Sequence, residues 1–176
     1  MPAAPGLRPT PDRVRETLFN WLQPVIAGSR CLDLFAGSGA LGLEAHSRGA
    51  ADVVLVERSE PVARQLRATV RDWGLSGVSV ERADALRWLA GAADAFDIVF
   101  LDPPFGSGLL EPVCARLTGL GWLSARALVY LEVPARGGLP ALPDAWMPAR
   151  QGQAGDVGFA LVATGRSVGG AVSPVT

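Results

Sequence analysis

Cys31-Leu32-Asp33-Leu34-Phe35-Ala36-Gly37-Ser38-Gly39-Ala40-Leu41-Gly42 runs from a short apolar strand through a glycine turn into a helix. The spacing of its glycines matches GxGxxG, and Glu57 follows twenty residues after Gly37. A turn of this kind at a strand's carboxyl end implies an open α/β sheet with a ligand site along that edge. Taken alone, the motif is compatible with a dinucleotide. Asp33 argues against that choice, because a carboxylate four residues before the first glycine faces the pyrophosphate and repels it. The same carboxylate attracts a ligand that carries an ammonium or a sulfonium.

The chain around this stretch alternates between short apolar runs and amphipathic segments. Strands are expected at 30–35, 52–57, 77–81, 96–101 and 126–133, with helices at 39–49, 60–72, 84–91 and 108–120 between them. That rhythm predicts a parallel sheet covered on both faces. Residues 144–151 and 156–164 read as a further strand pair around Gly152 and Gly155, antiparallel at the sheet edge. The expected fold is therefore α/β, with a mostly parallel seven-stranded sheet and an antiparallel C-terminal edge. Ahead of it, Thr10 reads as the N-cap of a helix of roughly four turns, with Pro11 in the first helical position. Val14, Leu18, Leu22 and Val25 form that helix's apolar stripe. Residues 1–9 are expected to be extended, 10–166 to form a single domain, and 167–176 to be a disordered tail.

A second motif follows the run Phe96-Asp97-Ile98-Val99-Phe100-Leu101, where the strand ends in Asp102-Pro103-Pro104-Phe105. Proline fixes φ and offers no N–H, so this is a short, stiff shelf with outward-facing carbonyls. A carboxylate, a carbonyl and a flat ring together form a receptor for a planar group that bears an NH2. Nucleobases are such groups. Four acids, Asp33, Glu57, Asp84 and Asp102, close four successive strands, which is where ligands bind in such sheets. Glu57 is placed to accept from two ribose hydroxyls, and Asp84 is either an adenine contact or a helix N-cap. With the glycine turn first and the Asp-Pro-Pro-Phe shelf second, the order of motifs implies methyl transfer to a base amine.

Composition narrows the classes further. With 176 residues and 49% apolar content the chain can build one core. It shows no membrane-length apolar run and no hydrophobic leader, so a cytoplasmic location is expected. Cys31 and Cys114 are the only cysteines and His46 the only histidine, so no metal site is expected. The net charge of −1 argues against nucleic-acid binding by bulk electrostatics. All 16 basic residues are arginine, and only Arg8, Arg13 and Arg15 cluster.

The stretch Leu7-Arg8-Pro9-Thr10-Pro11-Asp12-Arg13-Val14-Arg15-Glu16-Thr17-Leu18-Phe19-Asn20-Trp21-Leu22 resembles the opening motif of the bacterial RsmD-type 16S ribosomal RNA guanine-N2 methyltransferases. The segments Asp33 to Ala45 and Phe100 to Phe105 resemble that family's cofactor and catalytic motifs, and similarity extends through Gly121-Trp122-Leu123 and Gly155-Asp156-Val157-Gly158-Phe159. The resemblance implies a Rossmann-like class I methyltransferase that uses S-adenosyl-L-methionine. It implies a cofactor site formed by Asp33, Phe35, Ala36, Gly37, Ser38, Gly39, Glu57, Arg58, Asp84 and Ala85. Asp102, Pro103, Pro104 and Phe105 then hold the acceptor base. Arg8, Thr10, Arg13 and Arg15 are expected at the substrate, on an RNA phosphate or the cofactor carboxylate, with a surface salt bridge as the structural alternative. Phe19 and Asn20 either close over the cofactor or pack ordinarily. The expected partner is 16S rRNA, within the assembled small ribosomal subunit, acted on by a monomer.

Family members usually carry a further basic, glycine-containing segment before the Leu-Arg-Pro-Thr motif. This sequence starts almost at that motif, so weaker RNA affinity is expected of it. Three other readings stay open at this level. One is an amino-methyltransferase for DNA adenine-N6 or another acceptor; one is a ribosome-assembly binding protein with the same fold; the third is an NAD-linked oxidoreductase.

Overall fold

The computed structural model describes residues 10–119 and 121–165. The segment 1–9, with Arg8, and the tail 167–176 lie outside them. The elements run α1 (Asp12–Leu22), β1 (Arg30–Asp33), α2 (Ala40–Ser47), β2 (Asp52–Glu57), α3 (Glu60–Asp72), β3 (Val78–Arg82), α4 (Ala85–Trp88), β4 (Phe96–Leu101), α5 (Leu110–Gly119), β5 (Leu123–Pro134), β6 (Met147–Ala154) and β7 (Val157–Ala163). Seven strands form one sheet in the order β3-β2-β1-β4-β5-β7-β6. The pairs among β1 to β5 are parallel, and β7 is antiparallel to both β5 and β6. The strand order reverses between β1 and β4, which places the crevice at their carboxyl ends.

Side chains alternate across the sheet with period two, and this divides the core. One face carries Cys31, Val53, Leu55, Ile98, Phe100 and Tyr130 under Val14, Leu18, Phe19 and Leu22 of α1, Leu41 and Ala45 of α2, and Leu66 of α3. The other carries Leu32, Val56, Val99, Leu101, Val129 and Leu131 under Ala85 of α4 and Val113, Cys114 and Leu117 of α5. Both cysteines are buried free thiols. Trp122 and Trp146 are buried in the second cluster, whereas Trp73 is exposed.

The first helix departs from the sequence reading. Pro11, not Thr10, occupies its N-cap, without a side-chain cap bond. The Thr10 hydroxyl is instead directed at acids on the sheet. The helix ends at Leu22, about three turns long; Val25 points to solvent and Ile26 takes the buried place. At the opposite edge, Gly155 (φ +57°) turns the β6–β7 hairpin. Gly152 of β6 faces the ring of Phe159, where a Cβ would stand 2.5 Å from the ring edge. No helix among the described residues is long and apolar enough to cross a membrane.

Candidate active site

The glycine turn is held by two carboxylates. Asp33, the last residue of β1, is buried, and its Oδ2 accepts a hydrogen bond from the Gly42 N–H at 3.2 Å. Glu57, the last residue of β2, accepts from the Gly37 N–H at 2.9 Å and from the Ser59 N–H at 2.7 Å. Two backbone bonds close the loop: Ala36 N–H donates to the Val56 carbonyl at 3.0 Å, and Gly39 N–H to the Ala36 carbonyl at 2.7 Å. Gly39 has φ +82°, and a Cβ there would collide with Leu66 and Leu43. Gly42 packs directly on Leu55, so α2 lies close against β2.

These bonds bear on the dinucleotide alternative. A pyrophosphate needs the N–H groups of the turn, yet those of Gly37 and Gly42 already serve carboxylates. Asp33 Oδ1 is buried and has no hydrogen-bond partner. Burial pushes the Asp33 carboxyl up to about 7, against the lowering effect of the Gly42 and Phe35 N–H groups; Glu57 and Glu132 add a smaller upward push. An acid so placed suits a cationic ligand.

Asp102 follows the last residue of β4 and lies on the same sheet face as Phe100. Pro103 is buried beneath it, while Pro104 and Phe105 are exposed, Phe105 by 40%. The shelf forms one wall of a cleft of about 310 Å³, lined also by Leu109, Glu132, Pro134 and Pro140.

Sequence reasoning missed Glu132. The last rung of the β4–β5 ladder pairs Leu101 with Leu131, so the next residues, Asp102 and Glu132, emerge side by side. Glu132 is 3% exposed. Its Oε1 accepts from the Thr10 hydroxyl at 2.8 Å and from the Tyr130 hydroxyl at 2.8 Å. Thr10 Oγ1 also stands 3.4 Å from Asp102 Oδ2. Burial holds the Asp102 carboxyl well above the ordinary carboxylate range, and its neighbours Glu132 and Asp33 push it the same way. Burial, and then Glu132, likewise raise the Tyr130 hydroxyl. The one signal in the sequence was an acid inside the apolar run Leu131-Glu132-Val133.

The remaining candidates are dispersed. Phe35 is half-buried against the α4–α5 side of the core, Ala36 is buried, and Ser38 is exposed at the tip of the turn. Asp84 caps α4, accepting from the Arg87 N–H at 3.1 Å, and Ala85 is buried behind it. Arg58 and Arg13 are exposed, and Arg15 is paired with Asp12 at 2.9 Å. Phe19 is fully buried, 6.0 Å from the Phe100 ring, and Asn20 is exposed. His46 is bound through Nε2 to the Ser76 carbonyl, away from the crevice. Among the described residues, no group of three or more His, Cys, Asp or Glu side chains is placed to hold a metal ion.

The family model described as "Conserved hypothetical protein 95" matches residues 1–163. The protein named ribosomal RNA small subunit methyltransferase D from Escherichia coli K12 is 48% identical over 161 residues, covering 92% of this chain and 81% of its own length. The protein of the same name from Haemophilus influenzae is 42% identical over 160 residues, covering 89% and 82%. The chain belongs to the RsmD family. Its fold agrees with that membership: the solved structure of the Escherichia coli protein yhhF superposes with a TM-score of 0.87 at 43% identity, over 94% of this chain and 92% of that one. At 15% identity, an RNA methyltransferase from Salinibacter ruber in complex with S-adenosyl-L-homocysteine shares the fold with a TM-score of 0.68, over 95% of this chain and 100% of that one. In the RsmD family the seven-stranded sheet with an antiparallel C-terminal edge thus carries the Rossmann-like methyltransferase architecture.

Proposed function

We propose that this protein is an S-adenosyl-L-methionine-dependent methyltransferase that modifies N2 of a guanine in 16S ribosomal RNA. The observation that carries the reading is the Asp102-Pro103-Pro104-Phe105 shelf beside the Asp33–Gly42 turn, at the point where the strand order reverses. Membership in a family whose relatives are named for small-subunit ribosomal RNA supports the acceptor.

The donor set fits the cofactor. Asp33 Oδ1 is a buried acceptor in need of a donor, which an ammonium supplies. Glu57 uses two of its roughly four lone-pair positions on backbone N–H groups, leaving the others for ribose hydroxyls. Asp84 keeps Oδ2 for an adenine amine while Oδ1 caps α4. When bound, S-adenosyl-L-methionine supplies a methyl group made electrophilic by the sulfonium. The buried acids Asp33 and Glu132, with the partly buried Asp102, make the crevice a receptor for that cation.

At the acceptor, the N2 lone pair of guanine is delocalised into the ring. Hydrogen bonds from its two N–H groups to the Asp102 carboxylate and the Pro103 carbonyl favour a pyramidal nitrogen, with the lone pair aimed at the methyl carbon. Transfer is then a direct in-line displacement, and positioning supplies much of the rate. Asp102 takes the amine proton as the N–C bond forms, a role typically worth about 10²–10⁴-fold. Phe105, exposed on the shelf, stacks on a base that has left its own stack. With a net charge of −1, shape and neighbouring ribosomal protein supply contacts that bulk charge does not, so the assembled small subunit in the cytoplasm is the natural acceptor and a monomer suffices.

Incubation with radiolabelled S-adenosyl-L-methionine and small subunits from a strain lacking the corresponding enzyme tests this reading. Label recovered as N2-methylguanine in 16S RNA is the expected result. Label in another base, or none at all from protein that binds the cofactor, overturns the assignment of the acceptor.

A further inference from the structure

Glu132 takes no part in the transfer step itself, yet it is among the most buried acids of the described residues and lines the acceptor cleft. A lone carboxylate inside a central strand is costly unless it is paired or protonated. Its neighbours show how it is accommodated. Thr10 has one hydroxyl hydrogen, shared between Glu132 Oε1 at 2.8 Å and Asp102 Oδ2 at 3.4 Å. Tyr130 donates its own hydrogen to the same Oε1. The ladder rung Leu101–Leu131 sets the two acids side by side. Two carboxyls set side by side in a largely buried place resist ionising together.

We propose that Asp102 and Glu132 work as one acid–base unit, with Glu132 the positioning residue that orients Asp102 and shares its proton. Thr10 and Tyr130 both hold Glu132 through Oε1, so neither hydroxyl engages Oε2. Of the ionisable groups on neighbouring strands, Asp33 at the end of β1 adds an upward push on Asp102, and Glu57 at the end of β2 adds one on Asp33. The inference rests on the methyl-transfer reading for its chemistry and on the geometry alone for the shared proton.

The step balances as follows. The pair begins with one proton and one negative charge. The N–C bond forms as the methyl–sulfur bond breaks, and that bond's electron pair stays on sulfur. The methylated amine, now cationic, loses one proton to Asp102. The pair then holds two protons and no charge, and it returns the second proton to solvent after product leaves. Glu132 lets Asp102 receive a proton without ever standing as an isolated buried anion.

Titration of the full-length protein, labelled with ¹³C at Asp and Glu carboxyls, tests the shared proton without any acceptor RNA. In wild type, Asp102 is expected to titrate above the ordinary Asp range. In Glu132→Gln, which keeps an oxygen for Thr10 and Tyr130, the Asp102 midpoint is expected to fall by at least one pH unit, a tenfold loss of proton affinity. Asp102→Asn gives the reciprocal measurement on Glu132, and it decides the matter should Glu132→Gln fail to fold. A midpoint unmoved in the variant that folds overturns the pairing. On small subunits, the acid limb of the wild-type rate profile reports the second proton added to the pair, so it should move to higher pH in Glu132→Gln, where Asp102 must ionise alone; a merely structural role would not produce that shift. Failure of the wild type to methylate RNA would count against the proposed function, whereas the carboxyl titration decides the pairing by itself.

Discussion

Asp33 accepts a hydrogen bond from the Gly42 N–H through Oδ2 at 3.2 Å, while its Oδ1 lies buried without a partner. One oxygen anchors the first turn of α2 to β1, and under the proposed function the other is open to a ligand donor. The arrangement has a thermodynamic signature. The folded-state value of Asp33 is about 7, against 3.8 for the free side chain, so between these values the folded protein binds more protons than the unfolded chain. Stability from this group is therefore greatest below about pH 4 and declines as pH rises toward 7. Asp33→Asn removes that decline. The difference in Tm between variant and wild type, without ligand, is expected to rise from pH 4 to 7 and then level off. A difference that is flat or falls over that range would show that Asp33 is not the buried acid described.

Ligand binding should reveal the same charges. Asp33 and Asp102 have carboxyls raised to about 7 and about 8, so both gain negative charge as pH rises through neutrality. S-adenosyl-L-methionine carries a sulfonium that S-adenosyl-L-homocysteine lacks, and the two share every other charged group. The affinity ratio in favour of S-adenosyl-L-methionine is thus expected to increase from pH 6 to 8. Calorimetry in buffers of different ionisation enthalpy should detect proton release on binding. A ratio independent of pH would mean that these acids do not face the sulfonium.

Gly42 is required for close packing and not for an unusual backbone. A Cβ there overlaps the Leu55 side chain and crowds Val53. Gly42→Ala is expected to destabilise the fold by roughly 1–3 kcal/mol, the usual cost of overpacking a core, with Tm lowered by several degrees. Because α2 would shift away from Asp33, cofactor affinity should fall with it. Thermal unfolding and cofactor titration of one preparation measure both effects; an unchanged Tm would mean that α2 and β2 are less tightly joined than the structure shows.

Local chemistry made most of the sheet legible. The run 52–57 and the helix 60–72 could be read to the residue, because apolar alternation ends at Glu57 and Pro61 opens the next helix. The row of acids could be read only in part. Asp33, Glu57 and Asp102 close their strands on one face and Glu132 joins that row, while Asp84, just after β3, also caps a four-residue helix. Glu132 depends on the register between β4 and β5, a non-local fact that no spacing records. Thr10 misled for a related reason. Its place before Pro11 suits an N-cap, but two acids more than ninety residues away, Asp102 and the buried Glu132, compete for its hydroxyl and win.

Phe105 is half-exposed on a stiff loop, so its removal should leave the fold intact. If it stacks on the acceptor base, Phe105→Ala loses roughly 1–3 kcal/mol of that contact. The expected result is a fall of about 5- to 150-fold in kcat/KM for RNA, with Tm and cofactor affinity nearly unchanged. The reverse pattern, a lower Tm with unaltered kinetics, would make Phe105 a loop anchor.

Asp102→Ala separates chemistry from cofactor binding. The Gly37, Gly42 and Ser59 N–H bonds that shape the cofactor side belong to Asp33 and Glu57, and none runs through Asp102. Removing Asp102 therefore leaves that side standing while it deletes both the hydrogen-bond acceptor for the amine and the base. Turnover should fall by about 10²-fold or more. Loss of one of the clustered negative charges weakens binding of a cationic cofactor only modestly, and it relieves the repulsion on Glu132 and Asp33. Tm is thus expected to hold or rise slightly at pH 8, where the charge relief outweighs the small cavity. Single-turnover rates at saturating cofactor, together with a direct binding titration, give the two quantities separately. Equal loss of turnover and binding would refute the division of labour between the glycine turn and the Asp-Pro-Pro-Phe shelf.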